Sequence, residues 1–126
     1  MTKLSVVAPF LNEAQSAQHF CGLLAGLERE VQERFGLSLE AVLVDDGSSD
    51  GSAEMFARYL KGDWKIVRLS RNFGKEVAIL AGIEHANGDL IMLMDSDLQN
   101  SLDTALKMVG ELVADPELDV VHAVRA

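Results

Sequence analysis

Leu39-Glu40-Ala41-Val42-Leu43-Val44-Asp45-Asp46-Gly47-Ser48-Ser49-Asp50-Gly51 is an apolar run of strand length that stops at two adjacent acids and a turn of Gly, Ser and Asp. Residues 39–44 are apolar almost throughout, as a strand is when both faces of a parallel sheet are covered. Residues 45–51 carry turn and helix-cap chemistry, with Ser49 or Asp50 placed to cap the next helix. Ala53, Phe56, Ala57 and Leu60 then recur at helical spacing. A buried strand, a polar turn at its carboxyl end and an amphipathic helix make one β-α unit, and the rest of the chain repeats the pattern.

Upstream, residues 4–8 read as a short strand stopped by Pro9. Asn12 offers a helix cap with Gln15 as its box partner. Ala17, Phe20, Cys21, Leu24, Leu27, Val31 and Phe35 then mark a long amphipathic helix that Gly36 ends. Downstream, residues 64–69 are a third strand. Residues 77–83 are apolar nearly all round, which predicts a buried helix, closed by Asn87-Gly88 in a left-handed cap. Residues 90–94 are a fourth strand, and Leu102, Ala105, Leu106, Val109, Leu112 and Val113 form a helical stripe before a fifth strand over 119–124. The expected fold is α/β: a Rossmann-like three-layer α/β/α sandwich with a mostly parallel sheet of about five strands and right-handed crossovers. Ligands of such sheets bind outside the carboxyl ends of the strands. Here those ends are residues 9–13, 45–50, 70–75 and 95–99.

At 126 residues the chain is about one domain. Its net charge of −9 argues against a nucleic-acid partner, which needs basic surface. No apolar run approaches the roughly 18 residues of a membrane span, and no signal segment opens the chain. A single cysteine, Cys21, sits on the core side of its helix as buried filler, and a reducing, cytoplasmic setting is expected. Six of the eleven basic residues (Arg58, Lys61, Lys65, Arg68, Arg71, Lys75) share a stretch with one acid, Asp63. That stretch is either a solvated face or a patch for phosphate, on a donor or on a membrane headgroup. His19, His85 and His122 lack zinc-site spacing.

Asp95-Ser96-Asp97 directly follows the fourth strand. Two acids one residue apart repel, and a hard cation such as Mg²⁺ or Mn²⁺ relieves this, completing its shell with water and phosphate oxygens. Alone, the tripeptide serves equally as a solvated turn. Asp45 or Asp46 could accept a hydrogen bond from a base imide or a ribose hydroxyl. Arg71 and Lys75 flank Asn72-Phe73-Gly74 at a helix start, where backbone donors and two cations could hold phosphate. Gly74-Lys75 is not a P-loop, because Glu76 stands where Ser or Thr belongs.

The four strand-end segments together resemble family 2 glycosyltransferases of the GT-A fold. They are residues 6–13 (Val-Val-Ala-Pro-Phe-Leu-Asn-Glu), 44–51 (Val-Asp-Asp-Gly-Ser-Ser-Asp-Gly), 69–76 (Leu-Ser-Arg-Asn-Phe-Gly-Lys-Glu), and Gly88-Asp89 leading to 94–99 (Met-Asp-Ser-Asp-Leu-Gln). Residues 71–76 are most similar to the branch that loads sugars onto polyisoprenyl phosphate, including dolichol-phosphate mannosyltransferases and bactoprenol glucosyltransferases. The resemblance implies that Pro9, Leu11, Glu13 and Asp45 line a nucleoside pocket with Asp46 nearby. It implies that Asp95 and Ser96 contact ribose and diphosphate, and that Asp97 with Gln99 holds the metal. Arg71 and Lys75 would add positive potential near the phosphates. It identifies no catalytic residue. The implied partners are a nucleotide-sugar donor and a lipid-phosphate acceptor at a membrane surface, and a homo-oligomer is allowed. Where the family has His or Asp and two prolines after Gln99, this chain has Asn100, Ser101 and Leu102, which should loosen the turn and weaken metal binding. On this reading residues 1–126 are the nucleotide-sugar-binding half of a GT-A domain, truncated at the C-terminus. The alternative is a non-catalytic nucleotide-binding module without an acceptor site.

Overall fold

A computed structural model describes residues 2–96 and 101–114 and the backbone of 120–122. Strand β1 (Lys3–Phe10) leads through a 3-10 turn (Ala14–Ser16) to α1 (Ala17–Phe35). Then come β2 (Ser38–Asp45), α2 (Ser52–Tyr59), β3 (Asp63–Arg68), α3 (Lys75–His85), β4 (Leu90–Leu93), α4 (Leu102–Ala114) and β5 (Val120–His122). All pairings are parallel, in the order β3-β2-β1-β4-β5. The α/β class and the five strands among the described residues agree with the sequence pattern. Residues 119, 123 and 124 of the expected fifth strand lie outside the described residues.

Alternation along β1 divides two cores. Leu4, Val6, Ala8 and Phe10 join Phe20, Leu24, Leu27 and Val31 of α1, Phe56 of α2, and Val109 and Leu112 of α4. Val7 and Val44 point the other way, onto α3. There Gly82 lets helix and sheet meet, since a Cβ at Gly82 would lie 2.5 Å from Val7 Cγ1. Helix α1 ends as expected: Gly36 is left-handed (φ 66°), and its N–H and that of Leu37 bond back to Gln32 and Val31 carbonyls.

Several local expectations fail for identifiable reasons. Pro9 does not stop β1, which pairs with β2 through Phe10. The Val7 carbonyl receives Met94 N–H on the β4 side, and that of Phe10 receives Asp46 N–H on the β2 side. By alternation the missing Pro9 N–H faces β4, whose ladder has already ended at Val7. Asn12 caps no helix; it is left-handed (φ 54°), and its side chain accepts Ser49 N–H. Helix α3 is not buried all round: Ala78 and Gly82 are buried, while Val77 and Leu80 are exposed. Because β1 and β2 lie under it, only one stripe of its apolar surface is covered. Asn87-Gly88 makes no left-handed cap either. Ala86 is extended, and Gly88 is needed because a Cβ there would strike the Ser5 backbone N at 2.7 Å. Finally, α4 packs on α1 although β4-to-β5 and β1-to-β2 run in opposite directions across the sheet, so those two crossovers have opposite hands. The α4 stripe follows the larger core rather than the handedness rule.

Ser101, which stands where the family pattern has a proline, caps α4: its Oγ accepts Thr104 N–H at 3.2 Å. Ser101→Ala is therefore expected to cost about 1 kcal/mol in urea unfolding, with Ser101→Asp retaining most of the stability. An unchanged midpoint in Ser101→Ala would show that the cap contributes nothing.

Candidate functional site

The chain leaves β1 for β2 and β3 on one side and returns to β4 on the other, so the sheet reverses between β1 and β4. Such a switch point parts the turns on either side and opens a crevice at the carboxyl ends. A cleft of about 320 Å³ lies there. Pro9, Phe10, Leu11 and Glu13 line it from the end of β1, and Asp46 from the end of β2. Asn72, Gly74 and Lys75 line it ahead of and at the start of α3, and Asp95 and Ser96 from the end of β4.

The turn after β2 is held by its own polar residues. The buried Asp45 carboxylate accepts Ser48 N–H at 2.8 Å and faces Arg68 Nε at 3.7 Å. Asn12 N–H donates to Ser48 Oγ, Glu13 N–H to Ser52 Oγ, and Ala14 N–H to Asp50. Hydrogen bonding from Ser52, above all from its hydroxyl, keeps the Asp50 carboxyl below its ordinary range. These bonds tie the β2 turn to the β1 turn and fix one wall of the cleft.

Asp46 fixes another. Its carboxylate, nearly buried, accepts Phe73 N–H at 2.8 Å and Gly74 N–H at 3.1 Å. Gly47 (φ 85°) then lies directly against residues 71 and 72, where a Cβ would be 2.5 Å from Asn72 N. Two of the backbone donors expected to hold phosphate are thus already engaged by a carboxylate. Arg71 stacks over the Phe73 ring, 4.6 Å from its centroid, and does not line the cleft. Lys75 does: Nζ reaches across from α3 to Asp95 Oδ1 at 2.8 Å. Ser96, buried, donates to the Pro9 carbonyl at 3.2 Å, so its hydroxyl joins β4 to β1.

The structure therefore gathers Pro9, Leu11, Glu13, Asp46, Lys75, Asp95 and Ser96 in one cleft, and leaves Asp45 and Arg71 outside it. It adds Phe10, Asn72 and Gly74. The last two sit between the basic residues already singled out, and Phe10, within the 9–13 strand end, also packs on Phe56 at 4.5 Å between centroids. Half of the basic stretch is spent on acids: Lys65 meets Glu40, Arg68 meets Glu54 and Lys75 meets Asp95. A solvated, partly ion-paired face describes most of it, and of its six cations only Lys75 lines the cleft. Cys21 is buried as expected, and burial pushes its thiol up to about 11.

Asp97 and Gln99 lie outside the described residues. Among the described residues no three His, Cys, Asp or Glu side chains come together as a metal cage. What the cleft offers is hard oxygen, from Asp95 and Glu13. That set fits Mg²⁺ or Mn²⁺, which take one or two carboxylates and fill their shell with water and phosphate, and it does not fit a zinc site.

Known proteins share this architecture. A mannosyltransferase from Pyrobaculum calidifontis, solved with GDP-Man and Mn²⁺, superposes with a TM-score of 0.72 at 27% identity, over 90% of this chain and 32% of its own. Mannosyl-3-phosphoglycerate synthase from Rubrobacter xylanophilus shares the fold at a TM-score of 0.70 and 22% identity, over 91% of this chain and 38% of its own. Undecaprenyl-phosphate 4-deoxy-4-formamido-L-arabinose transferase of Salmonella paratyphi B is 40% identical over 126 residues, 98% of this chain. The chain spans 37% of the length of that curated relative. The four strand-end motifs that surround the cleft all fall within residues 5–126, which match the family model for glycosyl transferase family 2, and the chain belongs to that family.

Proposed function

We propose that the cleft binds a nucleoside-diphosphate sugar together with Mg²⁺ or Mn²⁺, as the donor half of an inverting glycosyltransferase whose acceptor is a polyisoprenyl phosphate. The observation that carries this reading is the meeting of four strand-end turns at the β1/β4 switch point, with Lys75 and Asp95 facing each other there. Pro9, Leu11 and Glu13 would flank the nucleoside, with Asp45 and Asp46 holding the walls. Asp95 and Ser96 would meet ribose and diphosphate, and Lys75 would meet phosphate. Asp97 and Gln99, with Asp95, would hold the cation, which supplies Lewis-acid stabilisation of the departing diphosphate. A lipid phosphate has a second pKa of about 6 and is largely anionic at neutral pH, so the acceptor needs little help from a general base. The acceptor site, and transfer itself, are assigned to the whole protein, working at the cytoplasmic face of a membrane. Among the described residues no helix is long and apolar enough to cross one.

Calorimetry with UDP, GDP and their sugars, with and without Mn²⁺, tests the reading. Metal-dependent binding of one nucleotide is expected, and Asp97→Ala should weaken it about tenfold or more. Failure of the folded protein to bind any of these nucleotides would sink the reading. Binding without sugar transfer or donor hydrolysis would favour a nucleotide-binding module.

A further inference from the structure

We infer that Lys75 is an exchangeable counter-ion of the cleft, able to pair either with Asp95 or with the donor's phosphates, so that it couples the entry of cation and anion. The inference rests on the donor-site reading and goes beyond it.

Three observations carry it. The Lys75–Asp95 pair spans the cleft from α3 to β4 at 2.8 Å, and both residues line the cavity. Two backbone donors and one cation nearby are committed elsewhere: Phe73 and Gly74 N–H to Asp46, and the Arg71 guanidinium to the Phe73 ring outside the cleft. Lys75, by contrast, has a half-exposed side chain on a flexible stem, able to swing within the cavity. A cation approaching Asp95 alone meets the ammonium already there. A diphosphate approaching Lys75 alone meets the Asp95 carboxylate. When both arrive together, each takes the partner that the other releases, and the carboxylate and the ammonium stay neutralised throughout. Such coupling is reciprocal by thermodynamic necessity. Its consequence is that the site discriminates against free metal and free diphosphate in favour of the metal–nucleotide complex.

The test is binding of Mn²⁺ alone, followed by the electron paramagnetic resonance signal of the free ion, so that no catalysis is read. Lys75→Met should bind Mn²⁺ about tenfold more tightly than the wild-type chain, because a unit charge a few ångströms from the ion is removed. It should bind nucleoside diphosphate with Mn²⁺ more weakly. The two changes have opposite signs, which loss of structure would not produce. Lys61→Met removes the same charge at an exposed position away from the cleft and should leave Mn²⁺ affinity within about twofold. Unchanged or weaker Mn²⁺ binding in Lys75→Met, an equal gain in Lys61→Met, or no Mn²⁺ binding to either Lys75→Met or wild type would each overturn the inference. If Mn²⁺ responds as expected while no nucleotide binds the wild type, the donor-site reading falls. If nucleotide binds with Mn²⁺ but Lys75→Met leaves Mn²⁺ affinity unchanged, only the exchange falls.

Discussion

Glu40→Ala is expected to lower the stability of the chain by about 3–5 kcal/mol, the range for removing one partner from a buried charge pair. Glu40 is buried at the amino ends of β1 and β2, at the opposite end of the sheet from the cleft. Its carboxylate accepts Ser5 Oγ at 2.6 Å, Asn87 N–H at 2.9 Å and Lys65 Nζ at 3.1 Å. The same Ser5 hydroxyl accepts Gly88 N–H, and Lys65 donates to the His85 carbonyl, so one acid secures both the end of α3 and the turn into β4. Lys65 is one-third exposed, which screens its part and favours the lower end of the range. Burial alone would raise the Glu40 carboxyl. The bonds from Ser5, Asn87 and Lys65 outweigh it and bring the group down to about 2, from an ordinary 4.5. A depressed carboxyl stabilises the fold above its unfolded value and loses that contribution as pH falls through the folded one. About 3 kcal/mol should therefore disappear between pH 4.5 and 2. Urea unfolding across that window should show a steep acid limb in the wild type and a flatter one in Glu40→Gln. Parallel limbs would mean that Glu40 is not held as described.

Gly47→Ala should be the most damaging single change at the cleft. Alanine in its left-handed conformation costs about 1 kcal/mol, and its Cβ would meet the backbone of residues 71 and 72 at 2.5–2.6 Å. Backbone atoms cannot rotate aside as a side chain can. The 71–74 loop must therefore move off Asp46, adding about 1–3 kcal/mol and loosening the wall that presents Lys75. Gly36→Ala isolates the first contribution. Gly36 has a similar φ of 66°, with nothing within 4 Å of the added Cβ, and its replacement should cost only about 1 kcal/mol. Nucleotide affinity should fall in Gly47→Ala and hold in Gly36→Ala. Equal unfolding midpoints for the two variants would show that the loop does not bear on Gly47.

How far the site is legible in the sequence depends on how local each interaction is. Runs such as residues 39–44 and the stripe of α1 express their environment through periodicity, because neighbours on one strand or helix face share one set of surroundings. Hence the elements and their strand-end turns are legible. Asp46 is legible as an acid at a strand end, but its task is not. It bonds to residues 27 and 28 positions away, and no local pattern reports that. Asn12 and Asn87-Gly88 mislead for the same reason: their residue types suit caps, yet distant partners at Ser49, Glu40 and Ser5 claim them.

By itself the sequence determined the α/β alternation, the parallel sheet and the four polar turns that end its strands. Strand and helix periods and turn residues are short-range properties. Only the tertiary structure decided which of those turns' residues face one another. Strand order sets the β1/β4 switch point, and that alone brings Lys75 within 2.8 Å of Asp95 across 20 positions of chain. It also turned Arg71 away and gave Asp45 and Asp46 to the walls, because hydrogen-bonding groups shielded from water take whichever partner the packing supplies.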